Sequence, residues 1–241
     1  MNDQQRQQLD EQGYLIFKNM LSSSQIDSLL SRLEELWAIE GDNAGEENYI
    51  EVGVRRLANL SNKGKIFRQV YANPQVLEVI EAVMGRDMRA SMVNARDVPP
   101  NTGARMPFHM DSDKGRVRDE KGYSAATAIW MLDPFTVENG ATAFVPGSHL
   151  LGKSPKEILA DLNASHPKEI ITEGQPGDVL VFNGHGWHAG RPNLTDGHRR
   201  AILVHYLRAD VPRPENRRQH VDPENQVELT PLERELLGLD D

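Results

Sequence analysis

Two stretches of this chain carry residue types that can hold a metal ion. His109-Met110-Asp111 closes a β-like run. Residues i and i+2 of a strand share a face, so an imidazole and a carboxylate can reach one ion there while Met110 faces away. A third ligand must come from another strand, and residues 177–188 (GDVLVFNGHGWH) offer His185 and His188 downstream of an apolar run. Two histidines and one carboxylate on one face of an octahedron leave three adjacent positions open, the arrangement associated with iron(II) oxygenases. Two of those positions suit a chelating 2-oxo acid and the third suits dioxygen. The chain has no cysteine, which excludes thiolate zinc sites, iron–sulfur clusters, disulfides and a cysteine nucleophile.

The elements that must position these residues fall into three parts. Residues 1–88 read as largely helical. Ile26, Leu29, Leu30, Leu33, Leu36 and Trp37 recur at helical spacing behind the serines at 22–24, which supply caps. Asn73, Pro74 and Gly85 bracket a second helix with Val76, Leu77, Ile80, Val83 and Met84 as its apolar stripe. Residues 89–208 change to short β-rich runs at 89–97, 104–110, 124–133, 142–146, 178–183 and 199–208, with lesser runs near 14–17, 49–53 and 168–172. Turn residues separate them, as in Asn101-Thr102-Gly103 and Pro146-Gly147-Ser148. Many short strands without alternating helices predict a mainly β fold with flanking helices, a sandwich or jelly roll. One short helix is expected within 151–168, with Ile158, Leu159 and Leu162 on its buried edge. Residues 209–241 read as a polar C-terminal extension with a short helix at 230–237. All three parts are expected to form one domain.

A net charge of −9 over 241 residues argues against a nucleic-acid or anionic-membrane surface. The polar N-terminus has no apolar core of a leader, and no stretch approaches the ~20 apolar residues of a membrane helix. The cytoplasm is therefore the expected compartment, and the sequon Asn193-Leu194-Thr195 reads as a turn.

The order of several motifs resembles the phytanoyl-CoA dioxygenase family. They are Trp130-Met131-Leu132-Asp133, Glu138-Asn139-Gly140-Ala141-Thr142 and Val145-Pro146-Gly147-Ser148-His149, with Glu11-Gln12-Gly13-Tyr14-Leu15-Ile16 at the start and Gly177-Asp178 before the distal histidine. The likeness runs over about residues 8–208. It implies a double-stranded β-helix (jelly-roll, cupin-like) core, and Fe(II), 2-oxoglutarate and dioxygen as cofactor and co-substrates. Under it His109 and Asp111 match the proximal ligands. His188 matches the distal ligand better than His185, because Arg199 follows eleven positions later. A family arginine at that offset pairs with the far carboxylate of 2-oxoglutarate, which a planar guanidinium grips with two hydrogen bonds. The turn at 193–197 can bring Arg199 back beside His188, with Arg200 facing the other way.

Trp130 corresponds to a family tryptophan beside the co-substrate, Thr142 could hydrogen-bond it, and Asn94 could point inward from its strand. Where many members have Gly-Ser after the distal histidine this chain has Ala189-Gly190, so that hydroxyl contact is either missing or supplied by Thr142. His149 reads as part of a structural turn, His205 shares a strand face with Arg199, and His166, His198 and His220 are expected at the surface. The resemblance implies hydroxylation of a small-molecule substrate with release of succinate and carbon dioxide. Halogenating relatives lack the carboxylate ligand that Asp111 supplies here. The alternatives are a cupin-like metal enzyme that does not use 2-oxoglutarate, and a catalytically silent ligand-binding jelly roll. Arg105, Lys114, Arg116, Arg118, Lys121 and Arg191 are expected near the mouth, hinting at an anionic substrate, a hint that Asp113, Asp119 and Glu120 dilute. The charged loop 112–123, with Gly115 and Gly122 as hinges, is expected to act as a lid.

Overall fold

The computed structural model describes residues 1–48, 50–112, 117–212 and 220–240. In chain order the elements are α1 (Asp3–Gln12), β1 (Tyr14–Phe17), α2 (Ser23–Glu40), β2 (Arg55–Leu57), α3 (Arg68–Tyr71), α4 (Pro74–Met84), β3 (Met88–Val98), β4 (Ala125–Met131) and β5 (Ala143–Val145). Then follow α5 (Pro155–Ile158), β6 (Ile170–Ile171), β7 (Val179–Asn183), β8 (Trp187–Ala189), β9 (Arg199–Arg208), α6 (Pro223–Gln226) and α7 (Pro231–Leu237). The strands form an antiparallel six-stranded sheet, β1-β7-β4-β9-β3-β2, and a smaller sheet, β6-β5-β8. A bridge between His109 and His188 adds the metal-motif segment to the small sheet beyond β8.

The helix signals act locally as expected. Ser22 caps α2 and exchanges hydrogen bonds with Gln25 in a capping box, and Asn73 caps α4, whose first residue is Pro74. The buried stripes of both helices join one core cluster on the outer face of the large sheet, with Ala126, Ala128, Trp130, Val179, Val181, Ile202, Val204 and Tyr206. Thr127, Ile129, Met131, Leu180, Phe182, Ala201 and Leu203 alternate with them and face the small sheet.

On β3 the register shifts between Ala90 and Met92. The extra residue reverses the alternation. Ala90 and then Val93 and Ala95 face the helices, while Met92, Asn94 and Arg96 pair with His205, Leu203 and Ala201 on the inner face.

Several expectations need correction. The run at 104–110 is not a strand. Its chain is irregular apart from the bridge at His109, and Met110 consequently lines the cavity instead of facing away. The strand expected at 49–53 lies at β2, and β8 was not anticipated because three residues carry no readable alternation. Ile158 is half exposed rather than buried, since α5 is a single turn.

Candidate metal and co-substrate site

Three backbone hydrogen bonds build the metal corner. His109 and His188 exchange N–H···O bonds of 3.0 Å each, and the Asp111 amide donates to the Gly184 carbonyl at 2.8 Å. Gly184 is required at that crossing, because a Cβ there would lie 2.7 Å from the Ala125 Cβ. The result places one ligand atom from each of His109, Asp111 and His188 within 4.8 Å of the others, with His188 Nε2 3.4 Å from Asp111 Oδ1.

Each imidazole is fixed from behind. His109 Nδ1 lies 3.0 Å from the Pro107 carbonyl and His188 Nδ1 lies 3.0 Å from the Gly186 carbonyl. A carbonyl can only accept, so both rings hold their proton on Nδ1 and present Nε2 to the shared point. Thr127 Oγ1 donates to Asp111 Oδ2 at 2.5 Å, which leaves Oδ1 facing the histidines. Thr127 was not singled out from the sequence. Its only signal is a hydroxyl on the inward positions of a strand otherwise made of Ala, Ile, Trp and Met.

The electrostatics hold His109 neutral and Asp111 ionised, and act on His188 in the other direction. Burial, followed by the neighbouring His188, pushes the His109 pKa down to about 4 despite Asp111 and the Pro107 carbonyl, so the ring is neutral near pH 7. Burial would raise the Asp111 carboxyl, but His188, His205 and His109 outweigh it and hold the group well below the usual carboxylate range. Burial works to lower His188, and Asp111 and the Gly186 carbonyl raise it on balance.

The other candidate for third ligand lies elsewhere. His185 Nε2 is 2.8 Å from Ser124 Oγ, and its ring packs on Tyr123.

Arg199 is 4% exposed and is not itself in the cavity lining, but its inward neighbours along β9, Leu203 and His205, line a cavity of about 370 Å³ that His109, Asp111 and His188 also line. The guanidinium sits 4.9 Å over the Phe135 ring, and its Nε and Nη2 have no hydrogen-bond partner among the described residues. Burial first, then Arg96, lowers its pKa to about 9, so it remains charged at neutral pH. A buried cation without an anion is costly. Arg200 takes the opposite face, as expected, and grips Asp133 at 2.8 and 2.9 Å.

Among the weaker candidates, Thr142 lines the cavity. Asn94 faces inward but its Oδ1 accepts the Asn59 amide at 3.2 Å, and it does not border the cavity. Trp130 is placed differently from the expectation. Strand alternation sends it into the helix-facing core, and Thr127 and Ile129 take the cavity side. His149 packs on Gly13 in the turn, and His166 is half-buried between Phe108 and Trp187 rather than exposed.

The basic residues expected at the mouth are mostly engaged. Arg105 pairs with Glu169 at 2.7 Å, Lys121 pairs with Asp210, and Arg191 donates to the Val137 carbonyl. Arg118 lies with α1 and α4 in a separate surface cleft. Lys114 and Arg116 lie outside the described residues, as does Gly115 of the expected lid.

A jelly roll with two imidazoles and one carboxylate converging between its sheets defines the class of cupin-like mononuclear metal oxygenases. A profile of the phytanoyl-CoA dioxygenase (PhyH) family matches residues 9–201. The chain belongs to that family, and with it to the iron(II)- and 2-oxoglutarate-dependent non-haem dioxygenases. It is 29% identical to "Dioxygenase af480" of Aspergillus fumigatus over 96% of this chain and 75% of the relative. Among solved structures it is similar to iron-bound EctD from S. alaskensis, with a TM-score of 0.74, 20% identity, and coverage of 96% and 89% of the two chains. HygX from Streptomyces hygroscopicus, solved with nickel and 2-oxoglutarate, has a TM-score of 0.69 at 19% identity and coverage of 87% and 88%.

Proposed function

We propose that His109, Asp111 and His188 hold the iron, that Arg199 receives the far carboxylate of 2-oxoglutarate, and that the enzyme hydroxylates a small molecule, releasing succinate and carbon dioxide. The observation that carries this reading is the Arg199 guanidinium, buried on the strand face that also sends Leu203 and His205 into the cavity, with two N–H-bearing nitrogens unpartnered among the described residues. A carboxylate is the ligand that offsets such a charge, through a two-pronged pair of hydrogen bonds. A cupin-like enzyme that did not use 2-oxoglutarate would leave that cost standing. A silent binding module would not need two imidazoles held in one tautomer around an ionised carboxylate.

When bound, iron and 2-oxoglutarate supply, with dioxygen, the oxidising power to replace a C–H bond by C–OH. The chain's own work is positional. Pro107 and Gly186 orient the ligand rings, Thr127 fixes one oxygen of Asp111, and Arg199 anchors the co-substrate end farthest from the metal. Thr142 supports the co-substrate where Ala189 and Gly190 bring no hydroxyl. Ile129, Phe182 and Leu203 give the cavity an apolar wall that limits water near the metal corner. Anaerobic titration of the iron-loaded protein with 2-oxoglutarate tests the reading, followed by succinate release over a substrate panel. Saturable binding that needs both the triad and Arg199 supports it; iron binding without 2-oxoglutarate binding sinks it.

A further inference from the structure

A carboxylate can bind a metal through one oxygen or through both. The difference matters where positions must stay open. If Asp111 closed on the ion with both oxygens, it would take one of the three positions that a facial triad leaves free. The fold gives the second oxygen a partner of its own. Oδ2 accepts the Thr127 hydroxyl at 2.5 Å, while Oδ1 lies 3.4 Å from His188 Nε2. The ligand histidines do not compete for this role, because their Nδ1 protons face the Pro107 and Gly186 carbonyls.

Thr127 sits on a stiff part of the fold. Strand β4 lies inside the six-stranded sheet, and Thr127 is paired with Phe182 of β7 on one side and His205 of β9 on the other. A β-branched side chain has few rotamers on such a backbone. At 4% exposure, little water can compete for its hydroxyl. The inward residues that follow on β4, Ile129 and Met131, carry no hydrogen-bond donor. The Asp111 backbone is referenced to the same strand. Its amide donates to the Gly184 carbonyl at 2.8 Å, and the Gly184 amide donates to the Ala125 carbonyl at 2.9 Å. Ala125 precedes Thr127 by two residues, so main chain and side chain of Asp111 are both set against β4.

We propose that Thr127 is a positioning residue that keeps Asp111 a one-oxygen ligand, and so reserves a position on the iron for dioxygen once 2-oxoglutarate fills two others. The proposal rests on the iron site as read above and adds the group that keeps its open face open. Without the hydroxyl, Oδ2 becomes a buried acceptor lacking a partner, and the metal ion is the positive charge closest to it. The carboxylate then turns both oxygens to the ion.

Manganese(II), which favours octahedral sites, tests this in the full chain through deuterium spin-echo modulation in D2O, a count of bound waters. The wild type should show three waters on the ion, and one after 2-oxoglutarate is added. Thr127→Val should keep the metal and show one water fewer in each state, and Thr127→Ser should restore the wild-type count. Nitric oxide, standing in for dioxygen, should bind the iron–2-oxoglutarate protein about tenfold more weakly in Thr127→Val than in wild type or Thr127→Ser. A merely structural role would change stability or metal affinity but not the waters per bound ion. Thr127→Ala removes the hydroxyl with less bulk beside the carboxylate, and gives the same answer if Thr127→Val does not fold. Wild-type water counts in a variant lacking the hydroxyl overturn the proposal and leave the iron site standing. A manganese signal that is unchanged in His188→Ala breaks the reading of the iron site, and the proposal with it.

Discussion

At the scale of single residues, the decisive contrast is between two histidines three positions apart. His188 meets His109 and Asp111, while His185 is turned to Ser124 and Tyr123. His188→Ala should lose stoichiometric iron and all activity, because a facial site with two ligands left cannot hold the metal in this geometry. His185→Ala should keep iron and cost about 1 kcal/mol of stability, the worth of one buried hydrogen bond. Metal analysis of both purified variants decides, and the reverse pattern would reassign the third ligand. Arg199 separates co-substrate from metal. Arg199→Ala should retain iron while weakening 2-oxoglutarate by roughly ten- to a hundredfold, as expected for a lost charge-assisted pair. Arg199→Lys should recover only part of that affinity, since an ammonium cannot reproduce the fork. Wild-type affinity in the alanine variant would remove Arg199 from the site.

At the scale of elements, Asp178 shows how a motif residue acts through packing. Its carboxylate is 1% exposed and holds three donors: Lys18 Nζ at 2.8 Å, the Asn19 amide at 3.0 Å and the Gln175 amide at 2.8 Å. These tie the β1–α2 connection to the start of β7. Burial would raise its pKa, but the Gln175 amide, Lys18 and the Asn19 amide lower it on balance. A depressed folded pKa means stability present above the unfolded value and lost as pH falls through the folded one. Asp178→Asn should cost about 1–3 kcal/mol near neutral pH. The wild type should lose that advantage below about pH 4, where the unfolded carboxyl begins to hold its proton. Parallel denaturation curves for the two proteins across pH 2–7 would contradict this. The loop after Asp111 shows the same principle. Arg208 grips Asp119 at 2.7 and 2.8 Å, and Lys121 pairs with Asp210, so the described end of the loop is anchored. Gly122 (φ +118) is there for contact rather than hinging, since a Cβ would lie 2.7 Å from the Val83 carbonyl.

At the scale of the whole molecule, the site couples parts of the chain far apart in sequence. Its metal corner spans positions 109–188, and the cavity adds Asn48, Arg56 and Arg96 from before β4. A metal that binds only this assembled corner must stabilise the native state. Iron(II) at a hundredfold over its dissociation constant should add about 2.7 kcal/mol, or roughly 5–10 °C in Tm for a chain of this size. Under anaerobic conditions the shift should vanish in His188→Ala. An equal shift in that variant would place the ion elsewhere. Among the described residues no helix is long and apolar enough to cross a membrane.

The sequence by itself determined what depends on near neighbours. The caps of α2 and α4, the Pro74 start of α4, the short helix near 230–237 and most of the β-rich runs were legible, because capping and alternation are local physics. The spacing of His109 and Asp111 was equally legible, as was the alternation that sets Arg199 opposite Arg200. Tertiary structure decided which histidine meets His109 and Asp111, because that choice rests on pairing between His109 and His188 across 78 intervening residues. It decided that Trp130 belongs to the helix-facing core, because only the packing of α2 and α4 on one face tells which strand parity points inward. It decided that Arg56, Arg96 and Glu51 meet on the cavity wall, since the phase of β3 turns on one extra residue near Ser91. A bulge moves every later side chain to the other face, and no composition or spacing in the strand announces it.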